Sequence, residues 1–488
     1  MKRLALAAIS CGAIALSGCR AVGPNYQRPA VPAPPAFKEA PPESFNAGGW
    51  RTAQPADAMI KGDWWTMFGD AQLNTLEPQV DTANQTLKQA QANYQAAVAQ
   101  VAYYRAAKAP TVGVAPFAGA TRESNNQPYF NQSFNNFNGT GNLQLPFSLN
   151  YEVDLWGRVR RSIAQAGDNA QASAADRENI RLSLHAELAS DYFDLRAADG
   201  QKKLLEETVV AYRRALQLTQ DRYDGGAAPL SDVSQARTQL QAALVQVADI
   251  DIQRAQYEHA IAILTGKAPA QLTLQRTPVT VNPPALPIIP GLVPAQLLER
   301  RPDIAEAERR MAAANEQIGI AQAAFYPTLS ISATAGFIGT SAVNWLTWPS
   351  RFFAVGSSLS QTLYDHGRRQ SLTNVARDQY DATVANYQQT ALDAFGQVED
   401  NLAALHQLEV EAAQQKEATA AAQQSLDLFN IRYEGGVDTY LQVVTSQTAL
   451  LQNQRNDIDI ERRRLDDTVR LIKAVGGGWD TTQLPKRP

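Results

Sequence analysis

Histidine and cysteine are the side chains best suited to bind metals or act as nucleophiles near neutral pH. This sequence has few of either: His185, His259, His366 and His406, with Cys11 and Cys19. The histidines sit in separate segments, without the short spacings that present two ligands to one ion. Asp365 and His366 adjoin, but no serine or cysteine nucleophile motif accompanies them, so a hydrolytic triad lacks its first member. No GxxxxGK[ST] loop is present to cradle a nucleotide phosphate. Each histidine reads as an ordinary surface or packing residue, and the chain as a non-enzyme without metal or cofactor. The formal net charge is −4 and the basic residues are scattered. That gives no reason to expect a nucleic-acid partner, whose phosphates need clustered Lys and Arg.

Cys19 is the exception. Lys2 and Arg3 precede a short apolar run, Leu4 to Leu16, too short to span a bilayer comfortably. Leu16-Ser17-Gly18-Cys19 follows and resembles a bacterial lipobox. The resemblance implies removal of a signal peptide, residues 1–18. It also implies an S-diacylglycerol thioether and an N-acyl chain on Cys19. Several acyl chains anchor stably where one does not. Arg20, rather than Asp, follows the cysteine, which by general lipoprotein sorting favours the outer membrane. Cys11 would be lost with the signal, leaving no thiol pair for a disulfide or a thiolate metal site.

What elements must such a chain contain? Beyond the signal there is no uninterrupted apolar stretch long enough for a transmembrane helix, so a bilayer crossing must be a β-barrel. Residues 19–60 are rich in Pro and Ala and read as an extended, lipid-anchored tether. The remainder is duplicated. Arg222-Tyr223-Asp224-Gly225-Gly226 matches Arg432-Tyr433-Glu434-Gly435-Gly436, and Gly157-Arg158 matches Gly367-Arg368 at the same offset. Ala106 to Thr111 parallels Ala323 to Thr328 at a slightly larger offset, so the length difference falls between the two markers. The first repeat is assigned to residues 61–264 and the second to 294–475. A Pro-rich linker, 265–293, joins them, and 476–488 form a tail.

Each repeat reads helix, strand, strand, helix, helix. The strands are expected at about 111–122 and 142–155, then 328–340 and 351–364. Leu143, Leu145, Phe147, Leu149, Tyr151, Val153 and Leu155 alternate with Asn142, Gln144, Ser148, Asn150, Glu152 and Asp154. Leu329, Ile331, Ala333, Ala335 and Phe337 alternate with Thr328, Ser330, Ser332 and Thr334. Phe353, Val355, Leu359 and Leu363 likewise oppose small or polar neighbours. This period of two, greasy on one face and wet on the other, suits a water-filled barrel in lipid. It also suits a soluble sandwich. Two features favour the barrel. Aromatics flank the strands (Tyr129, Phe130, Phe134, Phe137; Trp345, Trp348, Phe352), as in interfacial girdles, and the adjoining helices are very long. A helix is expected over about 70–108. From Arg158 to about Asp224 no proline intervenes, and about 65 residues make a rod of about 100 Å. Leu205, Val209, Tyr212, Leu216 and Tyr223 form a heptad seam. The glycine pairs end these helices, and return helices begin at Leu230 and Tyr440.

Four strands cannot close a barrel, and an open sheet in lipid leaves backbone groups unpaired. The chain must therefore assemble with copies of itself. Two would give eight strands and a filled lumen, three would give twelve and a pore, and both remain open at this point. A lipoprotein rod that merely scaffolds the envelope is the other reading; it shares the helices but not the aromatic-flanked strands.

The chain resembles the TolC-like outer-membrane efflux proteins, most closely the NodT-type lipoproteins that serve resistance-nodulation-division (RND) pumps. The resemblance is carried by Gly18-Cys19 with Val22-Gly23-Pro24-Asn25-Tyr26, Trp64-Trp65 with Phe68-Gly69-Asp70, and Tyr151 to Arg158. Arg301-Pro302-Asp303-Ile304 with Ala307-Glu308, and Arg432-Tyr433 with Gly435, complete the set. It implies a mainly α protein with a transmembrane β portion: a homotrimer whose twelve-stranded β-barrel continues into a periplasmic α-helical tunnel, with an equatorial region midway. The implied partners are a periplasmic adaptor, an inner-membrane RND pump and outer-membrane lipid. The helix tips would close the periplasmic mouth. Arg222, Tyr223, Gly225, Gly226, Arg432, Tyr433, Gly435 and Gly436 would cap helix carbonyls or dock the adaptor. In the family the second tip carries a leucine and, four residues on, an acid that line the constriction. Leu441 matches the leucine, but Thr445 stands at the acid position, with Asp232 and Asp438 nearby as replacements.

Overall fold

A computed structural model describes residues 21–31, 33–39, 62–122, 124, 140–279 and 294–486. The signal segment, Cys19, most of the tether, residues 280–293 of the linker, and Tyr129, Phe130, Phe134 and Phe137 lie outside the described residues.

The helices open with α1 (Ala71–Ala83) and α2 (Gln85–Ala106). A single helix is expected here, and Asn84 divides it. Its backbone is extended, its side-chain oxygen accepts from Leu87 N, and its amide donates to Leu264 O at 2.9 Å. A buried tertiary hydrogen bond thus overrides a run of good helix formers. After the strands come α3 (Arg158–Asp224) and α4 (Leu230–Leu264). The second repeat supplies α5 (Pro294–Arg300), α6 (Pro302–Ala323), α7 (Arg368–Glu434) and α8 (Tyr440–Ala474). The duplication is expressed to the residue: α3 and α7 each have 67 residues, and α4 and α8 each have 35. A 67-residue helix is about 100 Å long. Among the described residues no helix is long and apolar enough to cross a membrane.

The strands are β1 (Thr111–Val114), β2 (Phe117–Thr121), β3 (Thr140–Val153), β4 (Thr328–Gly339) and β5 (Arg351–Ser360). All pairings are antiparallel, in the order β1–β3–β4–β5, and β2 also pairs with β3. One strand is expected over 111–122. It is interrupted at Ala115-Pro116, because proline has no N–H for the ladder. The register is unbroken across the gap: Val114 faces Phe147 and Phe117 faces Gln144. The expected apolar faces meet across the sheet. Leu149 lies opposite Ala333, which lies opposite Val355, and Leu329 lies between Val153 and Leu359. Among the described residues the outer edges, β1/β2 and β5, pair with nothing further. Val112, Phe353 and Val355 are 71%, 80% and 74% exposed there.

The core sits midway along the helices. Trp64, Trp65, Leu73, Leu188, Tyr192, Ile261, Leu405 and Val469 form one buried cluster. In the heptad seam Leu205, Val209 and Tyr212 are buried, and Val209 and Tyr212 pack on Leu240 and Ala243 of α4. Tyr223 departs from the seam and is exposed, although its repeat counterpart Tyr433 is buried.

His185 belongs to this core and not to the surface. Its ring stacks on Trp65 with centroids 4.6 Å apart. Nδ1 meets Glu77 Oε2 at 2.6 Å and Nε2 meets Asp81 Oδ1 at 3.2 Å. Asp81 is also forked by Arg181. Burial pushes the Glu77 carboxyl up to about 7, and the His185 hydrogen bond only partly offsets this. Burial alone would lower His185, but hydrogen bonds to Asp81 and Glu77 outweigh it and raise the imidazole. Both shifts are upward, so the folded chain holds protons that the unfolded chain releases. The Glu77 contribution to stability is complete below its unfolded value of about 4.3 and is lost as pH rises through about 7. That of His185 is complete below about 6.5 and is lost above it. The thermal unfolding midpoint of the detergent-solubilised protein is therefore expected to fall as pH rises across neutrality. Glu77→Gln should flatten that dependence relative to the unaltered chain. An identical pH profile in the variant would exclude this pair as the titrating unit.

Candidate functional site at the helix tips

The distal ends of the two hairpins bring together the tip residues expected from the sequence. Each long helix closes with the same pair of capping hydrogen bonds: Gly226 N to Tyr223 O (2.9 Å) with Ala227 N to Arg222 O (2.7 Å), and Gly436 N to Tyr433 O (3.0 Å) with Val437 N to Arg432 O (2.9 Å). The chain then reverses through Gly226 and Gly436, both at φ +72, a left-handed backbone that favours glycine. Gly225 and Gly435 stay at negative φ and supply only the helix-ending turn.

The two arginines do different things despite their matched positions. Arg222 reaches across to the other repeat. Its Nη1 donates to Tyr433 O at 2.9 Å and to Glu434 O at 3.3 Å, and its guanidinium lies 4.6 Å from the Tyr433 ring centre. A cation placed on the last carbonyls of a helix is favourable, and here the cation comes from the neighbouring hairpin. Arg432 caps no carbonyl. Its Nε pairs with Asp438 Oδ2 at 2.8 Å, within its own turn. The guanidinium–Tyr433 contact sits over a small apolar cluster of Ala236, Tyr433, Tyr440, Val443 and Val444. Burial pushes the Tyr440 hydroxyl up to about 12.

Leu441 and Thr445 lie one turn apart near the start of α8, and both are exposed. The Thr445 hydroxyl donates to Leu441 O at 2.8 Å, and neither residue brings a charge to the tip. Asp438 is engaged by Arg432. Asp232 stands in the first turn of α4, where a carboxylate complements the helix dipole. The four residues expected at a gate and the eight expected to dock an adaptor thus lie on the two turns and the helix ends that flank them. Cys19 is outside the described residues. The sequence gives no sign of the cross-repeat cap, because matched arginines predict matched roles. From the sequence Tyr440 marks only the start of a return helix; its burial against the Tyr433 ring, with centroids 5.3 Å apart, is a tertiary feature. Among the described residues no group of three or more His, Cys, Asp or Glu could hold a metal ion.

The family model for outer membrane efflux protein matches residues 78–267 and 293–477, one span for each repeat. The probable efflux pump outer membrane protein TtgC of Pseudomonas putida is 30% identical over 476 residues, covering 97% of this chain and 96% of that protein. Outer membrane protein OprJ of Pseudomonas aeruginosa is 30% identical over 469 residues, covering 96% and 95%. Among solved structures, the outer-membrane channel OprN superposes with a TM-score of 0.83 at 26% identity, covering 94% of this chain and 99% of that one.

The cap can be measured directly. Arg222→Ala removes a charge-assisted hydrogen bond worth about 1.5 kcal/mol. It is expected to speed hydrogen exchange in the second tip, around residues 433–437, by about tenfold. Arg432→Ala, which removes an exposed pair, should change it much less. Equal effects from the two variants would remove Arg222 as the link between hairpins.

Proposed function

The chain belongs to the outer membrane efflux protein family, and on that premise we propose that three copies form the exit duct of a tripartite efflux system. The protein sits in the outer membrane of a Gram-negative bacterium. It is a passive channel and not an enzyme. Three copies place twelve strands in one closed barrel, wide enough for water, whereas eight would be filled by side chains. The observation that carries this reading is a sheet with two open edges and exposed apolar residues along them. In hydrocarbon each unpaired backbone group costs several kcal/mol, and closure with further copies removes every edge. The polar face, with Asn142, Gln144, Ser148 and Asn150, lines the lumen, and the long hairpins continue the duct into the periplasm.

Cys19 carries the lipid in this reading. Support comes from the start of the described chain. Val22 N donates to Trp156 O at 2.9 Å, and Arg161 Nε donates to Val22 O at 2.5 Å. These bonds fix the segment just after Cys19 at the base of the sheet, where acyl chains can enter the inner face of the same bilayer.

The tips form the periplasmic gate and the docking surface for a periplasmic adaptor, which links the duct to an inner-membrane RND pump. Copies of Leu441 meet about the axis as an apolar constriction. With Thr445 uncharged and Asp438 tied to Arg432, Asp232 supplies the acidic group near the mouth. Opening requires the hairpins to part, which breaks the Arg222 cap. Adaptor binding supplies the energy by favouring the parted state. Substrate selection then rests with the pump, because a wide lumen discriminates weakly.

Reconstituted in planar bilayers, the purified protein should conduct, and it should migrate as an oligomer on unboiled gels that collapses on heating. A silent, monomeric preparation would instead fit a scaffolding rod. Leu441→Ala and Asp232→Ala should each raise the resting current while leaving the fully open current unchanged. If neither does so, the gate lies elsewhere. Ala227→Cys or Val437→Cys should cross-link to the adaptor in intact cells; failure at both sites would place docking away from these turns.

A further inference from the structure

We propose that the turn between β4 and β5 is a binding site for the phosphorylated glycolipid of the outer leaflet, lipid A, with Arg351 holding a phosphate. The proposal takes from the reading above only its orientation, in which the helices lie in the periplasm and this turn faces outward.

The charge pattern of the hairpin comes first. From Phe325 to Tyr364 the one charged side chain is Arg351. It does not stand on the wet face. Arg351 pairs with Phe337, and Phe353, two residues on, pairs with Ala335. Opposed residues share a face, as do alternate residues along a strand. Arg351 therefore stands on the apolar face with Phe337, Phe353 and Val355. A guanidinium on the lipid face of a barrel is costly at mid-bilayer and nearly free at the edge. Its level fits the edge. From Leu359 to Arg351 the strand climbs about 26 Å, or about 20 Å along the membrane normal at the usual barrel tilt. A hydrocarbon band about 25 Å tall that starts just below Leu359 ends at about Arg351.

The turn supplies the rest. Asn344 O accepts from Thr347 Oγ1 at 2.7 Å and from Ser350 Oγ at 2.6 Å, and Ser350 N donates to Thr347 O at 3.0 Å. These bonds hold the turn in shape by its own polar groups. Its apolar side chains are left outside: Val343, Leu346 and Trp348 are 85%, 60% and 74% exposed. The turn leans to the lipid side. Gly339 continues the alternation from Leu329 to Phe337, and a Cβ placed on it would stand 3.1 Å from Trp345 Cα. Apolar side chains displayed in this way gain from acyl chains what water denies them, and tryptophan suits the boundary between the two.

Arg351 and Trp348 make the recognition element. The guanidinium carbon lies 3.5 Å from the centre of the Trp348 ring. Stacking occupies the flat face of the guanidinium and leaves its N–H edge open. Among the described residues no acceptor takes up that edge. A planar fork of donors held at the rim of hydrocarbon matches a phosphate bidentately. Lipid A bears phosphate monoesters on its sugars, directly above its acyl chains. One molecule can thus meet Arg351 through a phosphate and Leu346 and Phe353 through its chains. A phosphodiester lipid brings a single charge, whereas a monoester brings nearly two, so the site prefers the glycolipid.

The test counts lipid retained by the full-length protein. The detergent-purified chain is mixed with bisphosphorylated lipid A, with the same lipid stripped of its phosphates, or with phosphatidylglycerol, and bound lipid is read by native mass spectrometry. Bisphosphorylated lipid A should bind about tenfold more tightly than either of the others. Arg351→Ala and Arg351→Gln should lose that preference, Arg351→Lys should keep part of it, and Trp348→Ala should weaken it several-fold. Equal retention of the phosphate-free lipid would reduce the turn to an apolar anchor. Equal retention of phosphatidylglycerol would make it a general anionic surface, and unchanged binding by the Arg351 variants would place the site elsewhere. Each of these results overturns the proposal, and the comparison of lipids needs only the unaltered protein. A conducting, heat-sensitive oligomer that does not discriminate would sink the lipid site and leave the duct standing. Discrimination by a protein that runs as a monomer would do the reverse.

Discussion

The backbone of a sheet placed in hydrocarbon must satisfy every N–H and C=O, and the described strands of one copy do not do so alone. Its four strand positions end in two open edges, β1/β2 and β5. The rest of the architecture follows from that shortage. In the assembly proposed above, the chain meets copies of itself and their strands join in one closed wall. The long helices that leave each strand must then run side by side below it. A helix of 67 residues leaves the base of the sheet from each repeat, behind Gly157 and Gly367, so the helical tube inherits the order of the strands above.

Duplication solves most of the geometry with one motif used twice. Equal helix lengths and equal hairpin registers give each repeat the same shape, but matched faces of the two repeats differ in chemistry. The internal seam carries Arg161–Glu316 and the cap of Arg222 on the second hairpin, contacts whose desolvation is offset by fixed geometry. The external faces carry Val98, Val375, Val112 and Leu363, exposed in the single chain. The tips break the symmetry again. Arg222 binds across the repeats while Arg432 binds Asp438 within its own turn, so the two hairpins are not equivalent at the mouth.

The midpoint of the helices is where the chain holds itself together. The cluster around Trp64, Trp65 and Tyr192 is large and apolar, and His185 enters it in partnership with Glu77 and Asp81. A dense belt here leaves the ends free for other tasks. In the proposed duct the strands present apolar residues to lipid, and the proposed gating parts and recloses the tips away from this core.

Much was legible in the sequence because it depends on local period and composition. The alternation from Leu143 to Val153, the absence of proline through the long helices, and the paired glycines at the turns are written in neighbouring residues. The matching of Gly157 with Gly367 gave the duplication, and with it the hairpins. Only the tertiary structure decided the break at Asn84, where a hydrogen bond to Leu264 O outweighs helix propensity. The same holds for the burial of His185 and for the unequal roles of Arg222 and Arg432. Each depends on which groups distant in the chain come within a few ångströms of one another. A repeat read in one dimension predicts equal partners for equal residues, whereas the fold sets one face of each repeat against the other and leaves an outer face of each uncovered among the described residues.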